Sequence, residues 1–262
     1  MSAKKLISKI VLPSGELWSE DFRENGSYIL DWKRAARFCL SADGQKISSE
    51  IHPGASPVSL NIVRRLARVY AESLNGRESL HATGLAIQGK AILLLGASGE
   101  GKSTLAAALV ARGWKLLGDD ALSVAVRGSS AGVKCQAPLL KLSPTASRLL
   151  AGVSPRKEFD PNLEKWIYRF APVKDRFPLQ AIVFLSRKAK GPVKRKRLHG
   201  AVAALTLQAS FYNEILRPRR VLRRQFRLAA RLARLVPVWK LSYPTGFRHL
   251  NRVVEAIEAA LS

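Results

Sequence analysis

The chain has little cysteine, few acidic residues and no long apolar run. Its two cysteines, Cys39 and Cys135, are far apart and lack metal-ligand spacing, which argues against a disulfide framework and a cysteine-built metal site. They are expected to be reduced thiols in packing roles in a cytoplasmic protein. No stretch approaches the roughly 18 consecutive apolar residues that span a bilayer, so no transmembrane segment is expected. Residues 1–12 carry lysines but no sustained apolar core, and export is not expected. Internal repeats, heptads and low-complexity tracts are absent. So is an L-S-G-G-Q-like segment, which disfavours a transport ATPase of the ABC type.

Acids are outnumbered, 19 Asp and Glu against 44 Lys and Arg, for a net charge of +25. The imbalance is local. From Arg187 to Lys240 sixteen basic residues accompany a single acid, Glu214, so more than half of the excess lies in a minor part of the chain. Charge so concentrated reads as a surface facing something anionic, or else as a solvated basic face. An acidic protein or peptide is favoured over nucleic acid or lipid headgroups.

What is present is globular. Hydrophobic residues make up 47% and charged residues 24% of the 262 positions, enough for one α/β domain with a modest N-terminal addition. Residues 1–57 read as a small β-rich lead-in, with candidate strands at 7–12, 28–32 and 37–40 between turns at Pro13-Ser14-Gly15, Asn25-Gly26 and Ala42-Asp43-Gly44. Residues 58–262 read as the main domain. Apolar positions from Val58 to Leu74 fall at helical spacing and stop at Asn75-Gly76, and this helix is expected to cover the sheet. Residues 79–87 and 90–95 form a hairpin pattern across Gln88-Gly89.

The second arm of that hairpin runs into Gly96-Ala97-Ser98-Gly99-Glu100-Gly101-Lys102-Ser103-Thr104, a G-x-x-x-x-G-K-S loop opening an alanine-rich helix. Glycines there let backbone N–H groups turn inward around phosphates, and the helix start adds its positive end. Lys102 is placed on the β- and γ-phosphates and Ser103 on Mg²⁺. A short strand at 114–117 then reaches Gly118-Asp119-Asp120, where one carboxylate could hold the metal and the other take a proton. Further strands are expected at 121–126, 133–142, 179–185 and 238–241. Helices are expected at 144–150, 201–211 and 250–261, and a basic amphipathic helix at 218–236. Residues 152–178 read as irregular and 188–197 as a basic loop. Of four histidines, His81 alone lies on the hairpin that ends in the loop.

The set Leu80-His81-Ala82, the glycine-rich loop and Asp119-Asp120 resembles the catalytic domain of HPr kinase/phosphorylase, a bacterial protein-serine kinase. His81 stands 21 residues before Lys102, and the two acids 17 and 18 after it. The resemblance implies an α/β P-loop nucleotide-binding fold of HPr-kinase type, with ATP and Mg²⁺ as cofactors. It implies Asp120 as the base, His81 as a supporting residue, Lys102 as the phosphate clamp and Ser103 with Asp119 as metal ligands. Residues 96–104 would bind the nucleotide. Weaker similarity continues through 136–142, 178–185 and 236–241, and is nearer to the shorter HPr-kinase-like proteins. Some of these are encoded with lasso-peptide genes and phosphorylate a precursor peptide.

The L-L-E-I-R-G and P-G-R-N segments of the full enzyme are absent, so the resemblance implies neither phosphorylase activity nor HPr itself as substrate. Glu158, Asp160 and Glu164 lie in the corresponding region without a motif, and Arg169 is a candidate to face the phosphates. The full enzyme's hexamers imply a homo-oligomer. The expected activity is serine phosphorylation on an HPr-like protein or lasso-precursor-like peptide. A small-metabolite kinase and a nucleotide-responsive binding protein are the alternatives.

Overall fold

A computed structural model describes residues 4–12, 14–136, 138–153, 155–160, 164–173, 176–212 and 218–261. Pro13 of the first turn, Ala137 of the 136–142 similarity, and Glu214 and Arg217 of the basic region lie outside them. The chain forms two units, Met1–Ser79 with Tyr212–Arg224, and Leu80–Phe211 with Gln225–Ser262.

The first unit is an antiparallel meander of β1 (Lys5–Val11), β2 (Leu17–Glu24), β3 (Ser27–Trp32), β4 (Ala36–Leu40) and β5 (Ile47–Ile51). Helix α1 (Pro57–Leu74) packs on β4 and β5. It starts where the Ser56 hydroxyl accepts from the Ser59 amide at 3.1 Å, with Pro57 in the first turn where its missing N–H costs nothing. Val63, Ala67, Tyr70, Ala71 and Leu74 share the buried stripe that meets Leu30, Trp32, Phe38 and Leu40. The 17–24 and 47–51 strands are additions to the sequence reading. In β2 it is Ser19 and Asp21 that point inward, and β5 is exposed throughout, so neither shows apolar alternation. Cys39 is exposed and Cys135 half-buried, so Cys39 has no packing role; neither forms a disulfide.

The second unit is built on an eight-stranded sheet. Its strands are β6 (Ser79–Ile87), β7 (Lys90–Leu95), β8 (Lys115–Gly118), β9 (Ala121–Arg127), β10 (Ser130–Lys134), β14 (Arg176–Lys188), β15 (Lys194–Leu198) and β16 (Val238–Pro244). The order is β10-β9-β6-β7-β14-β16-β15, with β8 on β6. Strands β7, β14 and β16 are mutually parallel, while β6 and β15 run antiparallel to their neighbours. Alternation sorts the side chains to two faces. Ile92, Leu94, Val183 and Leu241 face helix α2 (Lys102–Ala111), with α6 (Leu250–Glu258) and the short α3 (Pro144–Ser147) beyond it. Leu93, Leu95, Ile182 and Val238 face α4 (Gly200–Gln208) and the Ala229–Leu232 part of α5 (Arg219–Leu235).

Residues 133–142 are two strands rather than one. β10 ends at Lys134, and β11 (Leu139–Leu142) joins a separate sheet with β13 (Lys165–Arg169) and β12 (Arg156–Asp160). The region read as irregular therefore holds two strands, hidden because charged residues occupy their exposed positions. The basic 188–197 segment likewise ends in a strand, β15, at the sheet's edge. Charge on an edge strand is a common device against unwanted pairing, and it removes the hydrophobic signal.

Candidate functional site

The parallel strands β7 and β14 end at one rim of the sheet, and residues 96–101 leave β7 there to enter α2. Gly96 and Gly101 are required by close approach. A Cβ on Gly96 would lie 3.1 Å from the Leu185 carbonyl oxygen, and one on Gly101 3.1 Å from the Tyr243 hydroxyl. Gly101 also caps α2 with φ at 88°, in the left-handed region. The loop is held from two sides. The Arg187 amide donates to the Glu100 carboxylate, and the buried Tyr243 hydroxyl donates to the Glu100 carbonyl. Burial, with the Glu100 charge, pushes the Tyr243 phenol above its ordinary range. Ala97, Ser98 and Gly99 form the exposed crown of the loop.

Lys102 folds back under that crown. Its Nζ donates to the Gly96 and Ala97 carbonyls at 2.7 and 3.1 Å. Burial lowers its pKa, against the pull of Asp119, Asp120 and Glu100. One residue on, the Ser103 hydroxyl donates to Asp119 Oδ2 at 3.0 Å. Asp119 follows β8, and its Oδ1 accepts from the buried Thr83 hydroxyl of β6. Burial and the neighbouring Asp120 charge raise the Asp119 pKa, opposed by these two hydroxyl donors.

Asp120 differs from its neighbour. Its φ of 76° turns the backbone into the left-handed region, which Asp tolerates better than most residues, and 42% of its side chain is exposed. Lys141 Nζ of β11 stands 3.5 Å from its Oδ2. The Asp120 carbonyl accepts from the Ala82 amide at 3.2 Å, which sets this turn against β6 next to His81. By alternation His81 falls on the same face as Thr83, the face toward α2, and its amide donates to the Ser210 carbonyl at 2.8 Å.

A family model described as SynChlorMet cassette protein ScmC matches residues 55–258. The chain belongs to the ScmC family. The matched segment runs from before α1 to the end of α6 and contains every site residue named above. Curated proteins give no match. Among solved structures the ScmC family member is similar to the Hpr(Ser) kinase/phosphatase from Coxiella burnetii, at 15% identity and a TM-score of 0.38, over 69% of this chain and 94% of that one.

Thr83, Lys141 and Tyr243 were not singled out by the sequence. Only Thr83 left a signal there, a polar residue on an apolar strand two positions after His81. Arg169 pairs with Glu158, its Nη2 standing 2.6 Å from Glu158 Oε1 across β13 and β12. Among the described residues no group of three or more His, Cys, Asp or Glu side chains could hold a metal, and none of the helices is long and apolar enough to cross a membrane.

Proposed function

We propose that this protein is an ATP- and Mg²⁺-dependent kinase that phosphorylates a serine hydroxyl on a small protein or peptide. The observation that carries this reading is the division of labour between two adjacent acids. Asp119 is buried against Ser103 and Thr83, whereas Asp120 is turned outward beside Lys141. The first has the surroundings of a metal ligand and the second those of a base open to an acceptor.

The residues fit the groups the reading requires. Hard cations such as Mg²⁺ take oxygen ligands, often one or two carboxylates with substrate phosphates, and the paired Ser103 and Asp119 oxygens are such donors. Bound there, Mg²⁺ would neutralise phosphate charge. Gly96 and Gly101 let the loop backbone pack closely against Leu185 and Tyr243, and the buried Lys102 ammonium lies directly beneath the loop. Asp120 would take the acceptor's proton as the serine oxygen bonds the terminal phosphorus. The bond from that phosphorus to the bridging oxygen breaks, and ADP leaves with the electron pair. His81 is proposed as a supporting residue on the same strand face as Thr83.

A macromolecular acceptor is favoured over a small metabolite by β15, whose Lys194, Arg195, Lys196 and Arg197 occupy the end strand of the sheet. Arg195 and Arg197 are steadied over the Trp239 ring at 4.5 and 5.7 Å. Such a row suits an acidic segment.

The test is transfer of labelled γ-phosphate from ATP with Mg²⁺ to acidic peptides and small proteins. Wild type is expected to label serine, and Asp120→Asn and Lys102→Ala to abolish the labelling. Tight ATP binding without transfer to any acceptor would instead support a nucleotide-responsive binding protein.

A further inference from the structure

A small apolar pocket opens where the glycine-rich loop meets α2, on the side away from Asp119 and Asp120. Its volume is about 120 Å³. Thr104, Arg187, Tyr243, Pro244, Phe247 and Leu250 line it. We infer that this pocket holds the base of the nucleotide whose phosphates lie on the loop, an inference that rests on the phosphate-binding reading above.

Three observations lead there. The first is size. A volume of 120 Å³ falls well below the ~300–1,000 Å³ of pockets that enclose a whole small-molecule ligand, and suits one flat ring of a larger molecule. The second is direction. Ser103 and Thr104 are consecutive on α2, so their side chains diverge by about 100°. Ser103 turns to Asp119, and Thr104 lines the pocket. A phosphate chain over the loop with its reactive end at the acids therefore has its other end at Thr104. The third is lining. Phe247 belongs to the short turn Phe247–His249 before α6 and leaves 49% of its surface in water although it borders a cavity. An exposed ring of this kind is a stacking platform. Arg187, anchored through its amide to Glu100, brings a planar cation to the same pocket. Bases stack on both aromatic and guanidinium planes, and such stacking tolerates different bases because every base has a π-face.

The inference is tested by titrating ATP and inorganic triphosphate, each with Mg²⁺, into wild type and Phe247→Ala. Wild type is expected to bind ATP more tightly than triphosphate. Phe247→Ala is expected to weaken ATP about ten-fold or more while triphosphate, which has no base, binds as before. Retained triphosphate binding also reports an intact fold. If ATP and triphosphate bind wild type equally, or Phe247→Ala leaves ATP affinity unchanged, the pocket does not hold the base and the phosphate reading stands. If neither ligand binds wild type, the phosphate reading itself falls and the inference with it.

Discussion

The Ser103 hydroxyl donates to Asp119 across 3.0 Å, tying the first turn of α2 to the end of β8. These residues are sixteen positions apart, and the contact exists because β7 and β8 both pair with β6, whose Thr83 holds the other Asp119 oxygen. Burial raises the pKa of this carboxyl, with Asp120 adding to the effect, so its charged form is disfavoured in the fold. Asp119→Asn should therefore keep or raise the melting temperature. It should also remove the strengthening of ATP binding by Mg²⁺. Calorimetric titrations with and without Mg²⁺ check this, and an undiminished Mg²⁺ effect in the variant would exclude Asp119 as a ligand.

Tyr243 ties β16 to the loop through the Glu100 carbonyl. Tyr243→Phe keeps the ring in place and removes only this bond, a change of about 0.5–1.5 kcal/mol. A melting transition lower by about 2–4 °C is expected, with ATP affinity reduced a few-fold because the loop is less well held. A variant indistinguishable in both measurements would show that the hydroxyl does not organise the loop.

In the N-terminal unit Asp21 is fully buried, and its Ser19 hydrogen bond at 3.3 Å offsets little of the burial, so its pKa is raised from 3.8 to about 7. The folded form holds a proton that the unfolded chain loses near 3.8. This group's favourable contribution is complete below that pH and is lost as pH rises through about 7. Asp31 acts oppositely. Burial pushes it up, but hydrogen bonds from His52, Lys33 and Arg37 win and hold it at about 2, so its contribution is lost only as pH falls from 3.8 toward 2. Denaturation between pH 5 and 8 should show stability falling with pH in wild type. Asp21→Asn should flatten that slope and be more stable than wild type at pH 8, by an amount on the order of 3 kcal/mol. A slope that survives the substitution would assign it to another group.

Part of the basic helix α5 is structural. Arg224 Nε donates to Glu78 Oε1 at 2.7 Å, Ser73 Oγ donates to Glu78 Oε2 at 2.9 Å, and Arg224 also reaches the Ser73 carbonyl. Glu78 is almost fully buried, whereas Arg224 keeps 33% of its side chain in water. Glu78→Ala strands the guanidinium and should cost about 3 kcal/mol in chemical denaturation, near the lower end for a broken buried pair. Glu78→Gln should cost less, and Arg231→Ala, on the exposed face, less than about 0.5 kcal/mol. Equal costs for Glu78→Ala and Arg231→Ala would deny the pair its role.

Elements with strong local signals were legible. The hairpin of β6 and β7, the loop and α2, α1 with its Asn75-Gly76 stop, and α5 all follow from short-range periodicity and turn chemistry, and the structure has them close to their expected bounds. The strands β2, β5, β12, β13 and β15 were not legible, because polar or charged side chains fill positions that carry no burial signal. A strand of this kind is stabilised by its ladder partner, and the partner is distant in sequence.

The same boundary runs through the site. By itself the sequence determined that a G-x-x-x-x-G-K-S loop stands between an apolar strand and a helix, with two acids following the next strand, since glycine placement and hydrophobic runs are local properties. Only the tertiary structure decided which acid turns inward to Ser103 and Thr83 and which turns outward to Lys141. It also decided that Tyr243 holds the loop and which arginines of α5 are engaged in ion pairs. Each of those outcomes depends on sheet pairing between segments far apart in the chain, where burial and hydrogen-bond partners are set by register rather than by neighbouring residues.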